Sequence, residues 1–212
     1  MRPVRILHIG KYYPPHAGGM ETALRILTEG LLDRDCDVSV LVSDLDNPDR
    51  VELVHGPESG RFGHVIRAAT AARLNSQPIS PNFTALFRRE LNVRPPDIVH
   101  IHLPNPLAVL SWQLFSLINP ADRPPLAVWY HADITRQKLG GLLFRPFLEA
   151  LLRQSEAVCV SSAAWKKEAK GLAGFRNKTT VIPFGICPQP WVDLPSGGLG
   201  PFLFVGRLVP YK

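Results

Sequence analysis

The sequence predicts an α/β fold, a parallel sheet flanked by helices. Short runs rich in Val, Leu and Ile alternate with segments whose apolar residues recur at helical spacing. Several of the short runs are almost continuously apolar, as expected of strands covered on both faces. A content of 45% hydrophobic residues over 212 positions suffices for one well-packed domain and part of another, and the 20% charged fraction with the regular spread of Val, Leu and Ile argues against a disordered chain.

The first strand is expected at Val4–Ile9, followed by a loop through Gly10 to Gly19. From Met20 a helix places Ala23, Leu24, Leu27 and Leu31 on one face. Asp37–Val42 reads as the second strand, with Val51–His55 and His64–Arg67 as two more. Segment 68–81 shows no period and is expected to be a loop. Asn82–Leu91 is a helix and Asp97–His102 a strand. Asn105 then stands as N-cap before Pro106, opening a helix over Pro106–Leu117. The pattern continues with strand Leu126–Tyr130, helix Leu142–Gln154 and strand Ala157–Val160. Ser161 or Ser162 caps a helix over Ala163–Gly171, and Thr180–Ile182 is the last strand. Pro183 to Pro201 holds five prolines with Gly197, Gly198 and Gly200, the composition of a linker. Phe202–Gly206 then opens a fresh apolar strand. The expected organisation is one domain over 1–183, a linker over 184–201, and at 202–212 the first strand and basic loop of a second domain cut short.

No run reaches the roughly 18 apolar residues of a membrane span. The opening segment is too short and interrupted for a secretory leader, so a cytoplasmic chain is expected. Cys36, Cys159 and Cys187 are odd in number and far apart, which argues against a disulfide framework or a zinc site. Of the seven histidines, four have no motif around them, and no metal site is expected at this scatter. The net charge is +6 and is unevenly spread. Residues 61–94 hold six arginines (Arg61, Arg67, Arg73, Arg88, Arg89, Arg94) against Glu90, and 134–153 hold Arg136, Lys138, Arg145 and Arg153 against Glu149. Such clusters suit an anionic partner (phospholipid headgroups, a lipid pyrophosphate or nucleic acid) or are simply a solvated surface.

The chemistry-bearing stretch is the strand, glycine-bearing loop and helix start of Gly10 to Glu21, which aims backbone N–H groups at an anion. Its glycine spacing fits neither the dinucleotide fingerprint nor the P-loop. Gly18 and Gly19 either let a diphosphate approach the backbone or serve a turn that needs positive φ. His131 falls just past a strand's carboxyl end, where open α/β sheets place ligands. His100 and His102 are expected to direct only one ring, that of His102, toward a cleft. No nucleophile elbow, Ser-His-Asp spacing or catalytic carboxylate pair is present in a recognisable context.

Six segments in order carry a resemblance to the retaining GT-B glycosyltransferases of family 4 (glycosyl transferases group 1). They are Tyr12-Tyr13-Pro14-Pro15 with Gly18-Gly19-Met20-Glu21; Asp97 to His102 with Asn105-Pro106-Leu107; Tyr130-His131-Ala132-Asp133; Val160-Ser161-Ser162; Val181 to Ile186; and Val205 to Lys212. The resemblance implies a Rossmann-like sheet forming the N-terminal, acceptor-side half of such an enzyme, inactive when alone. It implies that His131 lies against the donor sugar and is needed for transfer. Gly18, Gly19, Arg207 and Lys212 are expected on the donor diphosphate, the two cations standing in for a divalent metal. Glu21, His102, Asn105 and Asp133 are expected around the acceptor or behind the first contacts, with Asp133 orienting the His131 ring. The implied partners are a nucleotide-diphosphate sugar and a glycan or lipid-linked sugar acceptor; no nucleic acid and no cofactor are implied. The basic 61–94 stretch and the apolar-basic Leu142–Arg153 helix themselves fit a peripheral contact with an anionic membrane, which an apolar face near Phe83 and Phe87 would strengthen.

Two other readings compete. A non-catalytic module that binds an anionic glycan or lipid would use the same basic stretches. A nucleotide-dependent oxidoreductase would need an acid ending the second strand, where Asp44 and Asp46 come near, but the glycine spacing disfavours it.

Overall fold

A computed structural model describes residues 2–74, 77–133 and 138–185, with the backbone alone for 138–143. In chain order the elements are β1 (Arg5–Ile9), α1 (Gly19–Leu32), β2 (Asp37–Asp44), β3 (Arg50–His55), β4 (Phe62–Ala69), β5 (Ala72–Leu74), β6 (Gln77–Ile79), α2 (Phe83–Val93), β7 (Ile98–Leu103), α3 (Pro106–Ile118), β8 (Leu126–Tyr130), α4 (Lys138–Gln154), β9 (Ala157–Val160), α5 (Ala163–Glu168) and β10 (Thr179–Val181). Eight strands form one sheet in the order β10-β9-β8-β7-β1-β2-β4-β3. All neighbours run parallel except β3, which pairs antiparallel with β4 at the edge. The expected α/β architecture is therefore the observed one. From β1 the chain moves one way to β2, and later returns to the other side of β1 as β7. That reversal makes the carboxyl ends of β1 and β7 the natural crevice of the sheet.

Alternation along the strands divides the side chains between two faces. On one face Leu7, Ile9, Val99, Ile101, Leu103 and Val128 pack with Phe83 and Phe87 of α2, Trp112 and Phe115 of α3, and Leu151 of α4. Burying each such side chain contributes roughly 1.5–3 kcal/mol, so this face dominates stability. On the other face Val38, Val40 and Val42 pack against Leu24 and Leu32 of α1. Beside them β1, β7 and β8 present His8, His100, His102 and Trp129 instead of aliphatic residues.

Helix starts follow the capping chemistry. Asn105 accepts the Ala108 N–H at 3.2 Å, with Pro106 in the first turn of α3. Of the two candidate serines it is Ser162 that caps α5, accepting the Trp165 N–H at 3.1 Å. Two expectations are corrected. Segment 68–81 is not all loop: β4 runs on to Ala69, and β5 and β6 form an antiparallel ribbon with only three residues in each strand, too few to show a period. The helix expected to reach Gly171 ends at Glu168. Ala169 leaves the helical region with ψ 109°, and a 3-10 turn over Lys170–Leu172 follows. Gly171 passes so close to the Tyr130 hydroxyl that no side chain fits there.

The arginine-rich 61–94 stretch does not form one basic face. Arg67 is 3% exposed and donates to Glu52 at 2.6 Å and to the Pro14 carbonyl at 2.5 Å. Arg94 pairs with Asp37 at 2.8 Å and Arg61 with Asp35 at 2.6 Å. Phe83 and Phe87 are core residues and supply no external apolar face. Exposed apolar side chains lie instead at Leu110, Leu114, Leu117 and Ile118 of α3 and at Phe147 of the adjoining α4, and also at Val51, Leu53 and Phe62 of β3 and β4. The linker and second-domain strand expected from the sequence, with Arg207, Lys212 and Cys187, lie outside the described residues apart from Phe184 and Gly185.

Candidate active site at the strand carboxyl ends

Three loops meet at the crevice, after β1, β7 and β8. The first is tied to the sheet by Gly10, whose N–H donates to the Leu41 carbonyl at 3.0 Å and whose carbonyl accepts from Asn105 Nδ2 at 2.8 Å. Asn105 is 2% exposed, so its side chain both caps α3 and straps the β7 loop to the β1 loop. Arg67 clamps the Pro14 carbonyl from below and covers the Tyr13 ring at 5.8 Å.

The paired glycines sit at the start of α1. Gly18 is extended, with φ 176°, and among the described glycines only Gly60, with φ 66°, is in the left-handed region. The turn that would need left-handed backbone is therefore absent. A side chain on Gly18 would collide with the Glu21 carboxylate, whereas one on Gly19 would meet nothing within 4 Å. Glu21 folds over Gly18 in the first turn of a 14-residue helix, where a carboxylate complements the helix dipole. Gly19 leaves open space beside the first backbone N–H groups, a setting suited to phosphate oxygens. Lys11 stands nearby. Burial lowers its pKa, the Glu21 charge raises it and the Arg73 charge lowers it again.

The loop after β8 is pinned by the His131 N–H, which donates to the Leu103 carbonyl at 3.1 Å. The His131 ring lies 5.5 Å from Trp129 and 5.8 Å from Phe184, parallel to both within 10°. Its Nε2 lies 3.1 Å from His102 Nδ1, which leaves Nδ1 of His131 as the nitrogen for a ligand. Burial holds the ring neutral, with its pKa lowered to about 4. A neutral imidazole can exchange hydrogen bonds with a sugar hydroxyl without adding charge. Asp133 does not orient this ring. It accepts from the Tyr130 hydroxyl at 2.6 Å and from the Lys170 and Gly171 N–H groups at 3.0 and 3.2 Å. His102 takes that orienting place.

A second correction concerns His100 and His102. Residues two apart on a strand share a face, so both rings point the same way, 4.7 Å apart. Sequence reasoning also missed His8 and Trp129. The Trp129–His131 and His100–His102 spacings could have shown each pair on one face. The pairing of His8 with His100 could not, because it depends on strand order. Other expectations narrow. Asp44 is 2% exposed and bound by Arg50 at 2.5 Å, so it offers no free carboxylate to a ribose. Burial raises the Cys36 and Cys159 thiols, and neither is a thiolate nucleophile.

With this geometry in place, the family model for Glycosyltransferase Family 4 matches residues 17–189. The chain belongs to glycosyltransferase family 4. Among curated family relatives it is 29% identical over 222 residues to the O-antigen chain mannosyltransferase C of Escherichia coli and 30% identical over 226 residues to the D-rhamnosyltransferase WbpZ of Pseudomonas aeruginosa. Those alignments take in 99% of this family 4 chain but 55% and 54% of the two proteins, so it spans about half their length. Among solved structures it resembles Anabaena Alr3699/HepE, determined in complex with UDP and with UDP-glucose. The TM-score is 0.53 at 17% identity, over 86% of this chain and 44% of that one, a likeness of fold.

Proposed function

We propose that the protein carrying this chain is a retaining glycosyltransferase that moves a hexosyl residue from a nucleotide-diphosphate sugar to a glycan or lipid-linked acceptor, in polysaccharide or lipopolysaccharide synthesis. The chain is the acceptor-side wall of the cleft, and a second α/β half holds the nucleotide. One observation carries the reading: in a family 4 chain, the N-terminus of α1, open at Gly19, follows β1, and the His102–His131 pair stands at the ends of the neighbouring β7 and β8, around the sheet's switch point. The names of the two relatives, a mannosyl- and a rhamnosyltransferase, fit a hexosyl donor. The UDP and UDP-glucose complexes of Alr3699/HepE fit a nucleotide-sugar donor.

In this mechanism the acceptor hydroxyl attacks the anomeric carbon from the side on which the diphosphate leaves. The new glycosidic bond forms as the carbon–oxygen bond to phosphate breaks, and the hydroxyl proton passes to the departing phosphate oxygen. The charge gathering on that diphosphate meets the N-terminus of α1, and Arg207 and Lys212 in place of a divalent metal. His131 Nδ1 holds a donor-sugar hydroxyl. Asp133, the carboxylate nearest in sequence, is committed to Tyr130 and the Lys170 turn, so the scheme uses no protein nucleophile.

A thermal-shift screen of the full-length protein against nucleotide sugars tests the donor. One nucleotide-diphosphate hexose at about 100 times its Kd stabilises by about 2.7 kcal/mol, a rise of several degrees in Tm. The 212-residue chain alone turns over none of them. If no nucleotide sugar protects the full-length protein, the reading fails.

The same reading sets α3 and α4 against an anionic membrane on the cytoplasmic side. Leu110, Leu114 and Leu117 line one exposed face of α3, beside exposed Phe147, with Arg145 and Arg153 of α4 sharing the single carboxylate of Glu149 at 72% and 69% side-chain exposure, which leaves one positive charge in excess. The full-length protein is expected to sediment with anionic vesicles at low salt and to release at high salt. Indifference to such vesicles at low salt ends the membrane assignment.

A further inference from the structure

We propose that His8, His100 and His102 form a binding site for a borderline transition-metal cation, Zn2+ above all, on the sheet face where β1 meets β7. The three histidines are spread over 95 positions of sequence, yet the fold brings them together. In the parallel pairing His8 stands opposite His100, and His102 follows two residues later on the same face. The ring centres are 5.0, 5.5 and 4.7 Å apart, and one nitrogen from each ring lies within 4.8 Å of the others. A tetrahedral ion with bonds of about 2.0–2.1 Å needs its nitrogens about 3.4 Å apart and ring centres about 5 Å apart.

The second observation is independent of the spacing. His8 is 0% and His102 1% exposed, and both nitrogens of His8, Nε2 of His100 and Nε2 of His102 have no hydrogen-bond partner. Buried polar atoms are ordinarily satisfied, and three adjoining rings that each carry an unpartnered nitrogen call for an external partner. Burial also keeps all three rings neutral, with lone pairs available. Three neutral nitrogens with no carboxylate suit Zn2+, Cu2+, Ni2+ or Co2+ and not Mg2+ or Ca2+. The other cluster of possible ligands, His16, Asp44 and Asp46, differs in that Arg50 already neutralises Asp44.

The surroundings match a ligand's usual support. A metal-bound imidazole donates its second N–H to a neighbouring acceptor. With Nε2 of His102 on the ion, Nδ1 carries the proton and donates to His131 Nε2 at 3.1 Å. The ion would thereby fix the His131 tautomer, with the proton on Nδ1. Three protein ligands leave a fourth position for water or a small anion.

The test uses untagged chain, stripped with a chelator and titrated with Zn2+ by calorimetry and with Co2+ by visible absorption. The expected result is one ion per chain with micromolar or tighter affinity and an intense d–d band from Co2+ in a low-coordinate nitrogen site. His8→Phe and His100→Gln are each expected to weaken binding at least 100-fold. Should His8→Phe fail to fold, His100→Gln, at the half-buried member, and the wild-type Co2+ spectrum decide. Binding no tighter than about 0.1 mM, or affinity unchanged in folded His100→Gln, would overturn the assignment.

Discussion

If the full-length protein is the glycosyltransferase proposed above, His131→Ala in it is expected to lower kcat by about 10²–10³-fold, the scale of losing one preorganised hydrogen-bonding group at a reacting centre. The ring is held from three directions: by the Leu103 carbonyl through its backbone, by His102 through Nε2, and by the Trp129 and Phe184 planes. Such positioning is what a directed contact to a sugar hydroxyl requires. The stack also means that alanine removes packing as well as chemistry. His131→Phe separates the two, because it keeps an aromatic plane and loses both nitrogens. The phenylalanine variant should keep its melting temperature within a few degrees and its donor affinity within about tenfold, and should be as inactive as the alanine variant. Near-normal turnover by either variant would remove His131 from the mechanism.

Acid is expected to unfold this chain early. Burial pulls the pKa of His8, His100, His102 and His131 down, and the charge of neighbouring histidines adds to the effect at the first three; His100 and His131 fall to about 4. In the unfolded chain each titrates near 6.5. Below that value the unfolded state takes up protons that the native state refuses, so stability is complete above about pH 6.5 and declines as pH falls toward 4. The slope is about 1.4 kcal/mol per pH unit for each ring. Between pH 7 and pH 5, with a chelator present so that no bound ion holds the rings neutral, Tm should fall on the order of 10 °C. His100→Gln removes one of the four and should flatten the decline. A Tm independent of pH over that range would show that the rings are hydrated in solution.

What the sequence revealed and what it hid divide along a physical line. Features set by near neighbours were legible: the β8 and β9 boundaries from unbroken apolar runs, the Asn105 cap from its place before Pro106, and the helical face of α1 from its leucines. Features set by strand order were not. Nothing local to His8 says that it will face His100, and nothing local to Asn105 says that its amide will reach Gly10. Arg67 misled for a related reason. An arginine in a basic stretch ordinarily faces water, but this one lies between an edge-strand carboxylate and a loop carbonyl that become its neighbours only in the folded chain. At Gly18 one of the two expected reasons fails, since the backbone there is extended and it is the Glu21 carboxylate that fills the space beside its Cα.

The cross-ties at the rim carry a mechanical consequence. Asn105 joins the second loop to the first, and the His131 amide joins the third to the end of β7. Three segments remote in sequence thus behave as a single stiff lip that no one of them can leave alone. Whatever surface closes over a ligand held there must do the travelling, while this wall serves as the anvil.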